Sequence, residues 1–324
     1  MVLLSETTAI FTVTLAVAAG YHFWRSPTWG RAALLGAAIG LAALSRTEAL
    51  GLLAFLALPL ALLATDRSWG RRVGLAALTG VTALLVLAPW LGHNLTRFEE
   101  PALLTSSSGV VLSGASCDGS WYGPLTGSYA DCFDPTTLSP ATRADLCTRI
   151  ELPADCLADE RNVDAVVLSL RDPRLYDESQ SDQPYGEQAR SYIRGHLGRL
   201  PVVVAARVGR VWGVYAPIQN TRLDRDVENR GRVAPWLGLA AYWVLVPLAV
   251  VGLVSMRRRR VPIIPFLAVV VTVTLAAGTT FGVTRYRSTA EALLVIAAAL
   301  GADALLRRAS SRAAAAPSPP SSAG

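Results

Sequence analysis

Apolar residues fall into seven long runs, at 5–23, 32–45, 49–65, 73–91, 236–255, 261–282 and 288–306, separated by short polar stretches and by one long polar segment. A helix that crosses a bilayer needs about 20 predominantly apolar residues, within a range of about 17–25, and most of the runs qualify directly. The second and third are shorter and are parted only by Ser45, Arg46, Thr47 and Glu48. A single helix over 32–65 is too long for one crossing, so these two are read as a hairpin of spans whose turn lies near one membrane surface. The expected fold is therefore an all-α polytopic membrane protein of about seven transmembrane helices. Four lie in 1–91 and three in 236–306, with one large extracytoplasmic loop domain over 92–235 and a disordered cytoplasmic tail over 307–324. Within the loop domain, 105–136 is rich in Ser, Gly, Cys, Tyr and Asp and reads as irregular, whereas 138–172 and 184–215 show patchy helical periodicity. The stretch 202–212 carries Arg207 and Arg210 among apolar residues. It fits an interfacial helix lying on the membrane and, equally, an amphipathic helix packed on the loop domain.

Composition agrees with this pattern. The chain of 324 residues is 52% hydrophobic and only 17% charged, too apolar for an ordinary soluble domain and far too apolar for a disordered one. All 30 basic residues are Arg, and the sequence pI near 9.4 would by itself suggest nucleic acid. The distribution of charge removes that partner. Residues 97–233 hold 15 Arg against 19 Asp and Glu, a net of −4, while the remainder holds 15 Arg against 5, a net of +10. The basic excess belongs to the apolar part, so membrane lipids are the expected contact. Arg25, Arg31, Arg67, Arg71, Arg72, Arg257 to Arg260, Arg307, Arg308 and Arg312 fall on one side of a seven-span layout, 12 residues against 3 (Arg46, Arg285 and Arg287) on the other. The bias of Arg toward the cytoplasm places the N-terminus outside and the C-terminus inside.

All four cysteines (Cys117, Cys132, Cys147 and Cys156) lie in the outer segment, where thiols oxidise. Four cysteines allow three pairings, and nearest neighbours, Cys117 with Cys132 and Cys147 with Cys156, are preferred. A zinc site is the rival, but the spacing has no C-x-x-C and no histidine is near.

Charges at membrane depth are costly and mark candidate sites. Glu6, near the outer end of the first span, could orient an acceptor, ligand a metal, or simply sit well at a helix N-terminus. Arg46 and Glu48, in the hairpin turn, fit a structural ion pair or a substrate contact. Arg285-Tyr286-Arg287 lies between two spans on the side where Arg is disfavoured. Two guanidiniums and a phenol there suit a lipid-linked phosphate, since Arg forks onto phosphate oxygens; the alternative is a loop reaching for headgroups. Trp90 and His93 read as membrane-interface residues. Walker, dinucleotide-binding, zinc-protease and nucleophile-elbow motifs are missing from the sequence.

Three stretches together resemble a known family. They are Ser5-Glu6-Thr7 opening a span, the run from Gly40 through Ser45-Arg46-Thr47-Glu48 to Leu50, and Thr284-Arg285-Tyr286-Arg287 before the last span. They are similar to the bacterial GT-C membrane glycosyltransferases of the protein-mannosyltransferase-like, glycosyltransferase family 39 type. The block from Gly114 to Cys117 and on through Trp121-Tyr122-Gly123-Pro124 to Cys132 resembles an actinobacterial subgroup. The resemblance implies transfer of a sugar from a polyprenyl-phosphate donor to a protein, lipid or polysaccharide hydroxyl. It implies Glu6 as an acidic catalytic position, Arg285, Tyr286 and Arg287 near the donor phosphate, and Arg46 and Glu48 in a turn motif to which it assigns no role. A divalent metal is the one cofactor it leaves open. The family's opening spans and acidic first loop have no counterpart here, so Met1 is expected to be an internal start with a further carboxylate upstream. The competing function is a non-catalytic polytopic protein, a transporter subunit or envelope scaffold.

Overall fold

A computed structural model describes residues 5–63, 68–130, 132–172, 175–226 and 231–314, and among these there is helix and loop but no strand. The apolar runs become α1 (Glu6–Arg25), α2 (Trp29–Ser45), α3 (Leu58–Leu62), α4 (Trp69–Arg97), and later α12 (Ala234–Arg258), α13 (Ile264–Thr279) and α14 (Ser288–Ala314). Between them lie α5 (Ser108–Ser113), α6 (Asp118–Trp121), α7 (Pro140–Arg149), α8 (Val163–Ser169), α9 (Glu178–Gly195), α10 (Leu200–Val211) and α11 (Pro217–Asp226).

Three helices among the described residues are long and apolar enough to cross a membrane: Trp69–Arg97, Ala234–Arg258 and Thr284–Ser311. The expectation of seven such spans is not met, for a reason of length. Helix α2 has 17 residues and α13 has 16, which at about 1.5 Å per residue is roughly 25 Å, short of the ~30 Å hydrocarbon core. The run after Arg46 does not form one regular helix. It passes through a 3-10 turn (Thr47–Leu50) and a π turn (Leu53–Ala57) before α3. Threonines, Tyr21 and His22 dilute α1 despite its 20 residues. The tail expected to be disordered from 307 is helical to Ala314; residues 315–324 lie outside the described part.

Two pairs of parallel helices hold the bundle, and glycine makes both. On α2, a methyl at Gly36 would lie 2.3 Å from the Thr79 carbonyl oxygen, and one at Gly40 would lie 2.9 Å from that of Ala83 on α4. The close approach lets the Thr79 hydroxyl donate to the Ala32 carbonyl across the pair at 3.2 Å. On α12 and α14, a methyl at Gly252 would meet the Ala297 carbonyl oxygen at 1.9 Å, and one at Gly301 would meet that of Leu248 at 1.9 Å. Small residues four apart are how helices associate in lipid, where no hydrophobic drive separates helix from solvent. In each half a shorter segment returns the chain between the parallel partners: 47–62 in the first, α13 in the second. The faces turned away from the bundle stay apolar, with Phe11, Leu34, Leu85, Val244 and Val295 all exposed. Such a surface is suited to lipid.

The segment between α4 and α12 is tied by disulfides Cys117–Cys132 and Cys147–Cys156, the nearest-neighbour pairing. It has its own small core, in which Leu138, Leu146, Leu157, Val166 and Tyr176 surround the second disulfide. Even 105–136, read as irregular, contains the short helices α5 and α6. Helix α9 is set by its cap. Asp177 Oδ1 accepts from the backbone N–H of Ser179 at 2.8 Å and of Gln180 at 2.9 Å, and Oδ2 accepts from that of Glu99 at 2.9 Å. One carboxylate thus starts α9 and fastens it to the exit of α4.

Two outcomes follow from this packing. Gly252→Leu, or Gly301→Leu, should lower stability by about 2 kcal/mol or more, because backbone and not a flexible side chain is in the way. A thermal melt in detergent against Gly238→Leu, whose added carbon meets nothing, is the measurement. Asp177 supplies the pH dependence. Burial pushes its carboxyl up, but the Ser179 hydroxyl and the N–H groups of Glu99, Gln180 and Ser179 outweigh that and leave it lower than usual. Its stabilisation is complete above the unfolded value of about 3.9 and fades as pH falls through the lower folded value. Asp177→Ala should cost about 1 kcal/mol at pH 7 and lose less below pH 4, read from denaturant midpoints across pH.

Candidate functional site

Five side chains from three distant parts of the sequence meet at the end of the bundle nearest the disulfide-tied segment. Glu6 stands in the first turn of α1, where the positive end of the helix favours a carboxylate. The Nε of Arg285, in a 3-10 turn (Thr284–Arg287) that leads into α14, donates to Glu6 Oε1. Arg46, at the exit of α2, places Nη1 4.0 Å from the same oxygen and its Nε 2.5 Å from Glu48 Oε1. Tyr286 closes the group, its ring centroid 5.1 Å from the Arg46 guanidinium. The turn sequence explains the convergence. After Arg46 breaks α2 in extended conformation, Thr47–Leu50 turns back and brings Glu48 beneath the guanidinium. The Thr12 and Ser45 hydroxyls, 3.0 Å apart, hold α1 against α2 one turn below.

The cluster has two cations and two anions. Two of its atoms, Glu6 Oε2 and Arg46 Nη1, are buried without a hydrogen-bond partner among the described residues. Buried polar atoms of this kind are usually met by an ordered water or a bound polar group.

Arg287 does not join this cluster. One residue pair apart on the turn, its side chain points to the other side. Its Nε donates to Glu291 Oε1 at 2.7 Å, its Nη1 to the Val211 carbonyl at 3.3 Å, and its guanidinium lies 3.7 Å from the Tyr242 ring centroid. Arg285 and Arg287 do face one cavity of about 320 Å³, together with Asn220, Asp224, Tyr242 and Glu291. Asp224 accepts a 2.7 Å hydrogen bond from the Thr284 hydroxyl. A second, mostly apolar hollow of about 210 Å³ shares Tyr242, Arg287, Glu291 and Leu294 with the first and runs between α12, α13 and α14 toward Phe266 and Ala297. A cavity lined by two guanidiniums therefore adjoins an apolar hollow walled by α12, α13 and α14. Sequence reasoning missed Asp224, Tyr242 and Glu291. Only Glu291 had a signal, a carboxylate inside an apolar run and one helical turn after Arg287.

The turn that carries Arg285 is gripped by the first disulfide loop. The Gly282 N–H donates to the Gly127 carbonyl at 2.7 Å, with Gly127 in a left-handed conformation (φ 80°) that suits glycine. Helix α10 completes the grip with two buried cations. Arg207 donates to the carbonyls of Ala115 at 2.8 Å and Gly278 at 3.2 Å. Arg210 donates to the Thr126 carbonyl at 2.7 Å, to Asn220 Oδ1 at 2.7 Å and to Gln219 Oε1 at 2.6 Å. Burial pushes the Arg207 guanidinium down to about 10, which leaves it charged at pH 7. Helix α10 lies against α13, and both Arg207 and Arg210 are buried. Among the described residues no group of three or more His, Cys, Asp or Glu side chains is arranged to hold a metal ion. No protein-family model matches the chain, and neither does a curated protein or a solved structure.

Arg207→Met should cost about 1–3 kcal/mol, since it strands the buried Gly278 carbonyl and leaves that of Ala115 to the Trp121 indole alone. It should also expose residues 114–130 to protease, and reduction of Cys117–Cys132 should do the same. Cleavage sites mapped by mass spectrometry, in native, reduced and variant protein, check both; equal protection in all three would refute the grip.

Proposed function

We propose that the chain is a membrane glycosyltransferase, or part of one, that moves a sugar from a polyprenyl-phosphate donor to an extracytoplasmic hydroxyl of a protein, lipid or polysaccharide. The observation that carries the reading is a cavity lined by Arg285 and Arg287, next to a mostly apolar hollow that shares Tyr242, Arg287, Glu291 and Leu294 with it. A phosphate on a long isoprenoid chain has that division of chemistry: anionic head for guanidiniums, hydrocarbon tail for a groove between helices. In this reading the two arginines stabilise the phosphate that leaves when the glycosidic bond to the donor breaks. Glu6 sits next to Arg285 and takes the proton from the acceptor hydroxyl as it attacks the anomeric carbon. Arg46 and Glu48 hold Glu6 and Tyr286 in place.

The placement in the membrane belongs to the same proposal. The shorter apolar helices α1, α2 and α13 and the segment 47–62 complete a bundle of about seven crossings, tilted or in locally thinned bilayer. The excess of Arg at the end opposite Glu6 sets the orientation, with 92–235 outside and the C-terminus in the cytoplasm. One feature favours a transporter. The parallel pair α2/α4 ends at the Glu6 end of the bundle and the pair α12/α14 begins there, so the two three-segment halves run oppositely. Transport sites of such folds lie near the bilayer midplane, however, and here the charged groups gather at helix ends.

The test is retention of a polyprenyl phosphate by the purified protein in nanodiscs, against the matching polyprenol. The phosphate should bind at least about tenfold tighter, and Arg287→Gln should remove most of that difference. Sugar transfer from the loaded donor should fall about 100-fold or more in Arg285→Gln and in Glu6→Gln, with donor binding spared in the latter. Equal retention of phosphate and polyprenol would refute the donor site.

A further inference from the structure

The other end of the α12/α14 pair carries a cleft that the sugar-transfer reading does not use. It has a volume of about 500 Å³ and is lined by Ser255 and Arg258 of α12, by Arg259 just beyond that helix, and by Arg307, Arg308 and Ser311 of α14. In sequence these arginines belong to two clusters some fifty positions apart, and they read only as topology markers. The parallel packing through Gly252 and Gly301 sets the two clusters level and turns them into one site.

Two of the four have an ordinary explanation and two do not. Helix α12 ends at Arg258, so Arg258 and Arg259 complement the negative end of a helix. Helix α14 continues to Ala314, past Arg307 and Arg308, so these two cap no helix end. One carboxylate offsets the group: Asp303 accepts from Arg307 Nε at 2.8 Å. Among the described residues Arg258, Arg259 and Arg308 meet no carboxylate within ion-pair distance. Three guanidiniums without an acid make a cradle for an anion with several oxygens. The level of the cleft selects the anion. The apolar run of α12 ends at Met256 and that of α14 at Leu306, so the arginines begin where the hydrocarbon stops and phospholipid phosphates lie.

We propose that this cleft binds the phosphodiester headgroup of an anionic phospholipid, whose acyl chains then lie along the exposed apolar faces of α12 and α14. The site is separate from the cavity at Arg285 and stands whether or not that cavity binds a polyprenyl phosphate.

The experiment is native mass spectrometry of the full chain released from nanodiscs that contain phosphatidylglycerol and phosphatidylcholine in equal amounts. Phosphatidylglycerol should be retained over phosphatidylcholine, and the Arg258→Gln/Arg308→Gln double change should cut that preference at least about tenfold, without changing polyprenyl phosphate retention. Arg258→Lys/Arg308→Lys should keep part of it. Inorganic phosphate added in excess should not displace the lipid; equal competition would make this a free-phosphate site and overturn the lipid assignment. Unchanged preference in the Gln variant would also overturn it. Should that variant fail to fold, the unaltered chain decides, because a phosphatidylglycerol preference that survives high salt contradicts an arginine cradle.

Discussion

Backbone touches backbone where α12 crosses α14, and both ends of the molecule depend on that contact. Gly252 and Gly301 leave no room for a methyl, so the helices are held in one register over their length. On one side of the crossing the register sets Tyr242 against Arg287 and Glu291, and the cavity forms there. On the other side it sets Arg258 beside Arg308, and the basic cleft forms. Water would drive two apolar helices together without regard to register. Lipid does not, so a shape that permits one close approach has to supply the specificity.

Charge is handled in two ways. At Glu6, Arg46, Glu48 and Arg285 opposite charges are matched, and removing one partner would leave the rest uncompensated in a half-buried place. Arg207 and Arg210 instead direct their donors to backbone carbonyls and amide side chains. A guanidinium has five donors in a fixed plane, so it can bind several irregular loop carbonyls at once. Hydrophobic packing could bury the same loop but would not align its carbonyls. The loop between Cys117 and Cys132 is thereby held to the turn that carries Arg285.

Much of this was legible in the chain, and the gaps have physical causes. Long apolar runs became helices because nothing polar interrupts them, and the cysteines paired with their neighbours. The charged residues at Glu6, Arg46, Glu48 and Arg285 were singled out one by one for their cost in a membrane, and the fold joins them. The span count did not follow, because an apolar run reports composition while a crossing also needs length. The 3-10 and π turns after Arg46 shorten the regular helix in a way hydropathy cannot show. The spacing of Gly36 and Gly40 is visible in the sequence, but their partners Thr79 and Ala83 are not. Arg285 and Arg287 looked equivalent because they are two apart. In a tight turn, two positions apart means opposite sides, so one faces Glu6 and the other Glu291.

Arg285 connects these parts. It hydrogen-bonds Glu6 and also lines the cavity that holds Arg287. A guanidinium engaged by a carboxylate on one edge retains donors on the other, and its side chain is 38% exposed. On the proposed reading, an anion entering the cavity competes with Glu6 for the same cation. Each step it gains at Arg285 weakens the hold on the Glu6 carboxylate, which already has one oxygen without a hydrogen bond. Donor binding and the freeing of a base would then be one event, and the carboxylate would be least restrained when a leaving phosphate is in place. Arg46, 4.0 Å from the same oxygen, keeps the freed carboxylate ionised and near its position, so the exchange costs less than exposing a bare charge.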